Sequence, residues 1–167
     1  MLGGIEAGGT KCVVAVADDD LSIIAQATIE TTMPDETFAS ITSFFEQAQR
    51  AHASDITSIG VASFGPVGVD PAASNYGEIL ETPKLAWRGI SYQDRLSQFR
   101  VPIVVQTDVN GAALAEQIHG AGKRSGTLAY VTVGTGIGVG VVQAGAPLSG
   151  FSHFEICLLY TSDAADD

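Results

Sequence analysis

The sequence predicts a mixed α/β fold in which short buried strands alternate with helices. Runs of β-branched residues such as 12–17 are too short for helices and are typical of buried strands. Residues 34–53 carry their apolar side chains at helical spacing. Glycine-rich turns at 8–9 and 134–136 each separate two such strands, which predicts antiparallel hairpins.

In the first half, the chain predicts strands over 2–7, 11–17 and 23–31, a helix over 34–53 and a strand over 58–63. Pro34 suits a first helical turn, and the acidic residues after it favour the positive helix end. The apolar stripe of this helix is interpreted as a core face. Residues 71–90 form a predicted irregular loop, and a loop of that length is more often functional than idle.

In the second half, the chain predicts a short helix over 91–99, a strand over 103–106 and a helix over 109–119. Strands over 127–133 and 137–143 follow, and then a turn at 145–147. The loop 120–126 carries Lys123 and Arg124 and is interpreted as a hinge. We therefore predict one domain over 1–120 and the beginning of a second over 121–156.

Composition indicates a folded protein, since 46% of the 167 residues are hydrophobic and 16% are charged. The formal net charge of -11 leaves no basic stripe, which argues against nucleic-acid and membrane partners. Local backbone donors with Mg²⁺ could still hold a nucleotide. No apolar run is long enough to span a bilayer, and no basic leader is visible. The chain has two cysteines, and a reduced cytoplasmic setting is the expected default.

The first glycine turn is a candidate anion site. Gly8 and Gly9 tolerate positive φ and let backbone amides crowd around an anion without an interfering Cβ, as in a nest. The Thr10 hydroxyl and the Lys11 ammonium would add donors, and Glu6 is placed to hold a cation or a bridging water. A plain hairpin turn is the alternative, and the Gly-Gly pair alone would favour it.

The second glycine turn does not fit the common nucleotide fingerprints. Its glycines repeat at every second residue from 134 to 140, which differs from G-x-G-x-x-G. No Gly-Lys-Ser/Thr follows a four-residue gap anywhere in the chain, so a P-loop is also disfavoured.

Four segments in register resemble the ROK family of sugar kinases, and within it the bacterial fructokinases. They are Ile-Glu-Ala-Gly-Gly-Thr-Lys at 5–11, Phe-Gly-Pro at 64–66, Thr-Asp-Val-Asn at 107–110 and Val-Gly-Thr-Gly-Ile-Gly at 133–138. Glu6 stands where the family usually has Asp, and Glu6, Thr107 and Thr-Pro-Lys at 82–84 with Trp87 fit the fructokinase branch. The resemblance runs from residue 1 to about 156. It implies the actin-like ATPase fold, in which two RNase H-like domains close over a cleft.

The resemblance also implies an activity, namely ATP-dependent phosphorylation of fructose to fructose 6-phosphate. The residues that would hold the ATP phosphates are Gly8, Gly9, Thr10, Lys11, Gly134, Thr135 and Gly136. The residues that would approach the sugar are Gly65, Pro66, Thr107, Asp108 and Glu155. Asp108 would be the catalytic base, and Glu6 is a candidate ligand for Mg²⁺.

Asp108 has two interpretations. It could accept the proton of the sugar hydroxyl, or it could be the N-cap of the helix that follows. A carboxylate committed to capping loses basicity, and the resemblance favours catalysis. Glu155 depends on the segment 150–155, which resembles the family's His-Pro-Glu with Phe154 in place of proline. The neighbouring His153 has an alternative interpretation as an exposed loop residue.

The end of the chain departs from the family pattern. Residues 157–167 resemble a translated adapter tail, so we predict that they are non-native, that the gene is longer and that this fragment is inactive alone. The full-length family member is expected to hold Zn²⁺, whose ligands are absent here, and to form a homodimer. Two other hypotheses stay open: a kinase for glucose, mannose or an N-acetylated amino sugar, and a non-catalytic sugar sensor.

Overall fold

The computed structural model describes residues 1–133 and 137–148. The chain divides into two compact units, one over residues 1–108 and one from Val109 onward, and each is described by itself. The domain boundary predicted at residue 120 and the non-native tail stay predictions.

The first unit contains a five-stranded sheet in the order β3-β2-β1-β4-β5. The strands are β1 (Leu2–Ala7), β2 (Lys11–Ala17), β3 (Ile23–Glu30), β4 (Ser58–Ser63) and β5 (Ile103–Thr107). β2 is antiparallel to both β1 and β3, whereas β1, β4 and β5 run parallel to one another. All five predicted strands are confirmed, with ends that differ by at most one residue.

Helix α1 (Pro34–His52) covers one face of this sheet. Pro34 lies at the start of the helix, and Ala53 ends it in a left-handed conformation with its amide donating to the Gln49 carbonyl. The buried face of α1 includes Phe38 and Phe45, and alternate residues of the strands are buried in the same core. The helix prediction is confirmed, and its apolar stripe does face the core.

The segment between β4 and β5 has more structure than a loop. Short antiparallel bridges join Val67 to Ile79 and Glu78 to Ser91, and a 3₁₀ turn spans Leu85–Trp87. Helix α2 covers only Tyr92–Arg95, and a separate 3₁₀ turn spans Ser97–Phe99. The single helix predicted over 91–99 is therefore wrong. It breaks at the fully buried Leu96, where the burial of this side chain and the contact of the Phe99 ring with Phe45 override a regular helix.

Helix α3 (Asp108–Ile118) begins at the last residue of the first unit and continues into the second. The second unit also contains a three-stranded antiparallel sheet. Its strands are β6 (Thr127–Val133), β7 (Ile137–Gln143) and β8 (Ala146–Pro147). The predicted antiparallel pairing of β6 with β7 is confirmed. The last turn lies earlier than predicted, at Ala144 and Gly145, which both have positive φ.

Candidate active site

The parallel strands of the first unit end in register. Ala7 of β1 pairs with Ser63 of β4, and Ser63 pairs with Thr107 of β5. Adjacent strands lie about 4.8 Å apart, so the ends of β1 and β5 are separated by about 10 Å. The glycine turn after β1, the turn after β4 and Asp108 after β5 therefore leave the sheet at one edge. The structure thus brings together the first-unit residues that the sequence assigned to phosphate and sugar.

The glycine turn between β1 and β2 is closed by the Gly8 amide, which donates to the Lys11 carbonyl at 2.9 Å. Neither Gly8 nor Gly9 has a left-handed φ, so the turn is not the nest that the Gly-Gly pair predicted. Gly8 is required for space, because a Cβ there would lie 2.8 Å from the Lys11 carbonyl oxygen. A Cβ on Gly9 would meet nothing closer than Lys84 Cε at 3.8 Å, so the outer side of the turn is open to a ligand.

Thr31, just after β3, fixes this turn through two hydrogen bonds. Its amide donates to the Thr10 carbonyl at 2.9 Å, and its hydroxyl donates to the Gly8 carbonyl at 2.8 Å. The amides of Gly9 and Thr10, in contrast, have no acceptor among the residues that the structure describes. The turn therefore presents two N–H groups that no described residue engages, and an anion could accept a hydrogen bond from each. Sequence reasoning missed Thr31, since it lies 20 residues or more from the turn.

Cys12 lies beneath the same turn, with its sulfur 3.3 Å from the Thr31 hydroxyl oxygen. Burial raises the pKa of the Cys12 thiol, and smaller effects of Thr31, the Gly8 backbone and Lys84 oppose that rise. The neutral thiol is therefore favoured, and Cys12 packs as a small apolar side chain.

The 71–90 segment reaches the glycine turn through Lys84, whose ammonium donates to the Thr31 carbonyl at 3.3 Å. Trp87 anchors this segment, because its indole N–H donates to the Thr32 carbonyl at 2.9 Å and its ring lies 5.8 Å from that of Phe38. The sequence places Thr-Pro-Lys and Trp87 in the predicted irregular loop 71–90, and the resemblance adds that they fit the fructokinase branch. Their placement beside the turn follows from contacts that the local pattern does not encode.

The turn after β4 carries Gly65 and Pro66, which are joined by a cis peptide bond. The Phe64 amide donates to the Ala7 carbonyl at 2.7 Å, which extends the pairing of β4 with β1 up to this turn. On the other side, the Pro66 carbonyl accepts from the Leu80 amide at 2.8 Å. Both predicted sugar-facing residues therefore lie at the shared edge and are held by backbone hydrogen bonds.

A buried hydroxyl pair lies under this turn. The Ser63 hydroxyl and the Tyr92 hydroxyl are 2.9 Å apart, and the Ser63 hydroxyl also donates to the Phe64 carbonyl at 2.8 Å. Burial raises the pKa of Tyr92 far above its ordinary value, against a smaller lowering by Ser63. Tyr92 is therefore a neutral hydrogen-bonding partner, and it fixes the end of β4.

Asp108 is half-buried and is the first residue of α3, directly after the fully buried Thr107. A helix N-terminus stabilises negative charge, so this position suits a carboxylate. The outer side of β5 is held by the preceding segment, because the Val105 amide donates to the Tyr76 hydroxyl at 2.9 Å. The Gln93 side chain adds a bond to the Ile103 carbonyl at 3.0 Å. Asp108 thus follows a strand whose position is fixed by these hydrogen bonds. Its role as a base stays a prediction.

Glu6 is exposed on β1, in register with Ala62, which in turn pairs with Gln106. Within the described part of the chain, no group of three or more His, Cys, Asp or Glu side chains could hold a metal. Glu6 alone would suit an ion that keeps most of its ligands from water and phosphate, as Mg²⁺ does. The predicted residues Gly134, Thr135, Gly136 and Glu155 lie outside the described residues.

Across residues 1–133 and 137–148, every helix falls short of the length and apolar character needed to cross a membrane.

The family model described as "ROK family" matches residues 2–157. The chain belongs to the ROK family. Among curated relatives, the fructokinase of Zymomonas mobilis is 42% identical over 155 residues, which is 92% of this chain and 52% of that protein. The fructokinase of Streptococcus mutans is 36% identical over 168 residues, which is 100% of this chain and 55% of that protein. The chain thus spans about half the length of the curated relatives it matches.

Solved structures of ROK proteins share the fold. A ROK family glucokinase from Streptomyces griseus, solved with glucose and AMPPNP, matches with a TM-score of 0.74 at 26% identity. The match covers 89% of this chain and 46% of that one. The predicted actin-like ATPase fold is therefore confirmed, with about half of the relative's chain present here.

Proposed function

We propose that the full-length protein is an ATP-dependent fructokinase that forms fructose 6-phosphate. The observation that carries this proposal is the register of β1, β4 and β5, which brings an open glycine turn, the Gly65-Pro66 turn and Asp108 to one edge. Two ROK relatives named fructokinase, at 36% and 42% identity, support fructose as the sugar. The related glucokinase structure is less similar, at 26% identity.

The reaction needs one proton acceptor and a way to hold the phosphates. The sugar hydroxyl oxygen forms a bond to the γ-phosphorus while the bond from that phosphorus to the bridging oxygen breaks. The electron pair of the broken bond leaves with ADP. We assign the carboxylate of Asp108 to accept the hydroxyl proton as the attack proceeds.

The phosphates are assigned to the amides of Gly9 and Thr10, with Lys11 adding charge. Support comes from the Gly9 position, where nothing in the described chain demands a glycine, so the ligand itself would explain the missing side chain. We propose the same role for Gly134, Thr135 and Gly136. When bound near Glu6 and the phosphates, Mg²⁺ would neutralise the charge that develops during transfer.

The sugar is assigned to Gly65, Pro66, Thr107, Asp108 and Glu155. We further propose a cytoplasmic, homodimeric enzyme whose substrates are ATP and a sugar, with Zn²⁺ in the full-length protein. The net charge of -11 supports small-molecule substrates over nucleic acid.

The test is a comparison of sugars. With saturating ATP and Mg²⁺, full-length protein should show a higher kcat/KM for fructose than for glucose, mannose or N-acetylmannosamine. A preference for one of the other sugars would reassign the protein to another hexose kinase. Sugar binding without phosphorylation of any of them would favour the sugar sensor.

A further inference from the structure

We propose that Lys84 contacts the terminal phosphates of a polyphosphate ligand bound at the first glycine turn. This inference rests on the proposed function, since it adds a residue to the same phosphate site. Lys84 comes from the segment between β4 and β5, outside the two glycine turns to which the sequence pointed.

The position of Lys84 is the first argument. Its Cε lies 3.8 Å from the point that a Cβ on Gly9 would occupy, so the side chain runs across the open side of the turn. The amides of Gly9 and Thr10, which have no acceptor among the described residues, belong to the same turn. An anion that accepts from these amides would therefore lie close to the Lys84 ammonium, which would add a charge-assisted bond.

The charge of Lys84 is the second argument. Lys84 is half-buried, and its ammonium forms no ion pair with any residue in the described ranges. The acceptor of the ammonium there is the neutral Thr31 carbonyl at 3.3 Å. Arg88, four residues later, instead pairs with Glu81 at 2.8 Å. A partly desolvated ammonium with one long hydrogen bond to a neutral acceptor is stabilised more by a bound anion than a cation that already has an ion-pair partner.

The third argument is that the fold does not need this ammonium. The segment is already fixed by Trp87, which is 2% exposed and bonded to the Thr32 carbonyl. Arg88 adds a bond from its Nε to the Thr82 carbonyl at 2.8 Å. The flexible lysine stem can therefore exchange the Thr31 carbonyl for a phosphate oxygen while the segment stays in place.

The experiment measures tripolyphosphate binding to the full-length protein by titration calorimetry, because this probe lacks the nucleoside and reports on the phosphate site alone. The variants are Lys84→Gln and Lys84→Arg. The control is Arg50→Gln, which removes one exposed cation from the last turn of α1, near the opposite edge of the sheet. We expect Lys84→Gln to weaken binding about 10- to 100-fold, as loss of a hydrogen bond to a charged group does. Lys84→Arg and Arg50→Gln should stay within about threefold of the unmodified protein.

Two further readouts separate this contact from a structural role. The thermal midpoint and the KM for fructose should be the same in Lys84→Gln as in the unmodified protein. Lower thermal stability together with weaker binding would assign Lys84 to the fold and contradict the inference. Equal tripolyphosphate affinity in Lys84→Gln, or no binding by the unmodified protein, would also overturn it. Fructose turnover is measured separately. If tripolyphosphate binding depends on Lys84 but the protein phosphorylates no sugar, the result would contradict the proposed function and support the inference.

Discussion

A Cβ added to Gly8 would lie 2.8 Å from the Lys11 carbonyl oxygen, whereas a Cβ on Gly9 would meet nothing closer than 3.8 Å. Two adjacent glycines are therefore explained by different causes. Gly8 is needed because the chain turns back on itself, whereas Gly9 faces open space, which the proposed phosphate role would use. Neither glycine has a positive φ, although a Gly-Gly pair in a turn predicts one.

This difference gives opposite expectations for two alanine variants. Gly8→Ala should lower the free energy of unfolding by about 1–3 kcal/mol, because the backbone must shift to admit the methyl group. Gly9→Ala should change it by less than about 0.5 kcal/mol, yet it should weaken ATP binding about tenfold or more. Urea unfolding and ATP titration of both variants check this. Equal destabilisation by the two variants would contradict the distinction.

Cys12 provides a pH dependence of stability. Burial raises the pKa of its thiol above the ordinary value of 9.0, so folding favours the protonated form. The corresponding stabilisation is complete below pH 9 and is lost as the pH rises through the folded pKa. Between pH 8 and pH 10, the free energy of unfolding should therefore fall more steeply in the unmodified protein than in Cys12→Ala. Parallel curves for the two proteins would show that Cys12 does not contribute.

At the scale of elements, strands with clear patterns could be predicted almost to the residue. β1, β2 and β4 each alternate or run apolar between strong turn signals, so local chemistry fixes them. The hairpin over β6 and β7 follows from the same signals. The helix predicted over 91–99 is wrong because the burial of Leu96 and the contact of Phe99 with the distant Phe45 ring decide the backbone there.

The candidate site shows the same difference between features that local sequence indicates and features that depend on distant contacts. Glycine turns and an Asp after a strand are local signals, so the sequence marks Gly8, Gly9 and Asp108 as candidates, and their roles stay predictions. The contacts of Thr31 and Lys84 with the turn could not be predicted, because they are hydrogen bonds between residues far apart in sequence. No local spacing rule indicates that a threonine after β3 will hold the turn between β1 and β2.

The segment before α2 depends on Trp87 for its position. Trp87→Phe removes the bond to the Thr32 carbonyl and part of the packing against Phe38 and Phe64. We expect it to lower the free energy of unfolding by about 1–3 kcal/mol, as loss of a buried hydrogen bond does. Leu85→Ala is the control, since Leu85 lies in the same 3₁₀ turn with 69% of its surface exposed. Thermal or urea unfolding that gives equal losses for both would contradict the anchoring role.

For the whole molecule, the first unit carries the proposed phosphate turn, the proposed sugar-facing turn and the proposed base on one sheet edge. The second glycine turn and Glu155 lie outside the described residues, and their roles stay predictions. The chain covers 52% and 55% of two fructokinase relatives, so activity is a property to be measured on the full-length protein.

Fructose phosphorylation by full-length Asp108→Asn is the most direct measurement of the central claim. Asparagine keeps the size of the side chain but cannot accept the proton, so kcat should fall about 10²- to 10⁴-fold with ATP binding retained. The control is Asp19→Asn, an exposed carboxylate in the turn after β2, which should leave kcat unchanged. If Asp108→Asn phosphorylates fructose as fast as the unmodified protein, the sheet edge does not carry the catalytic base.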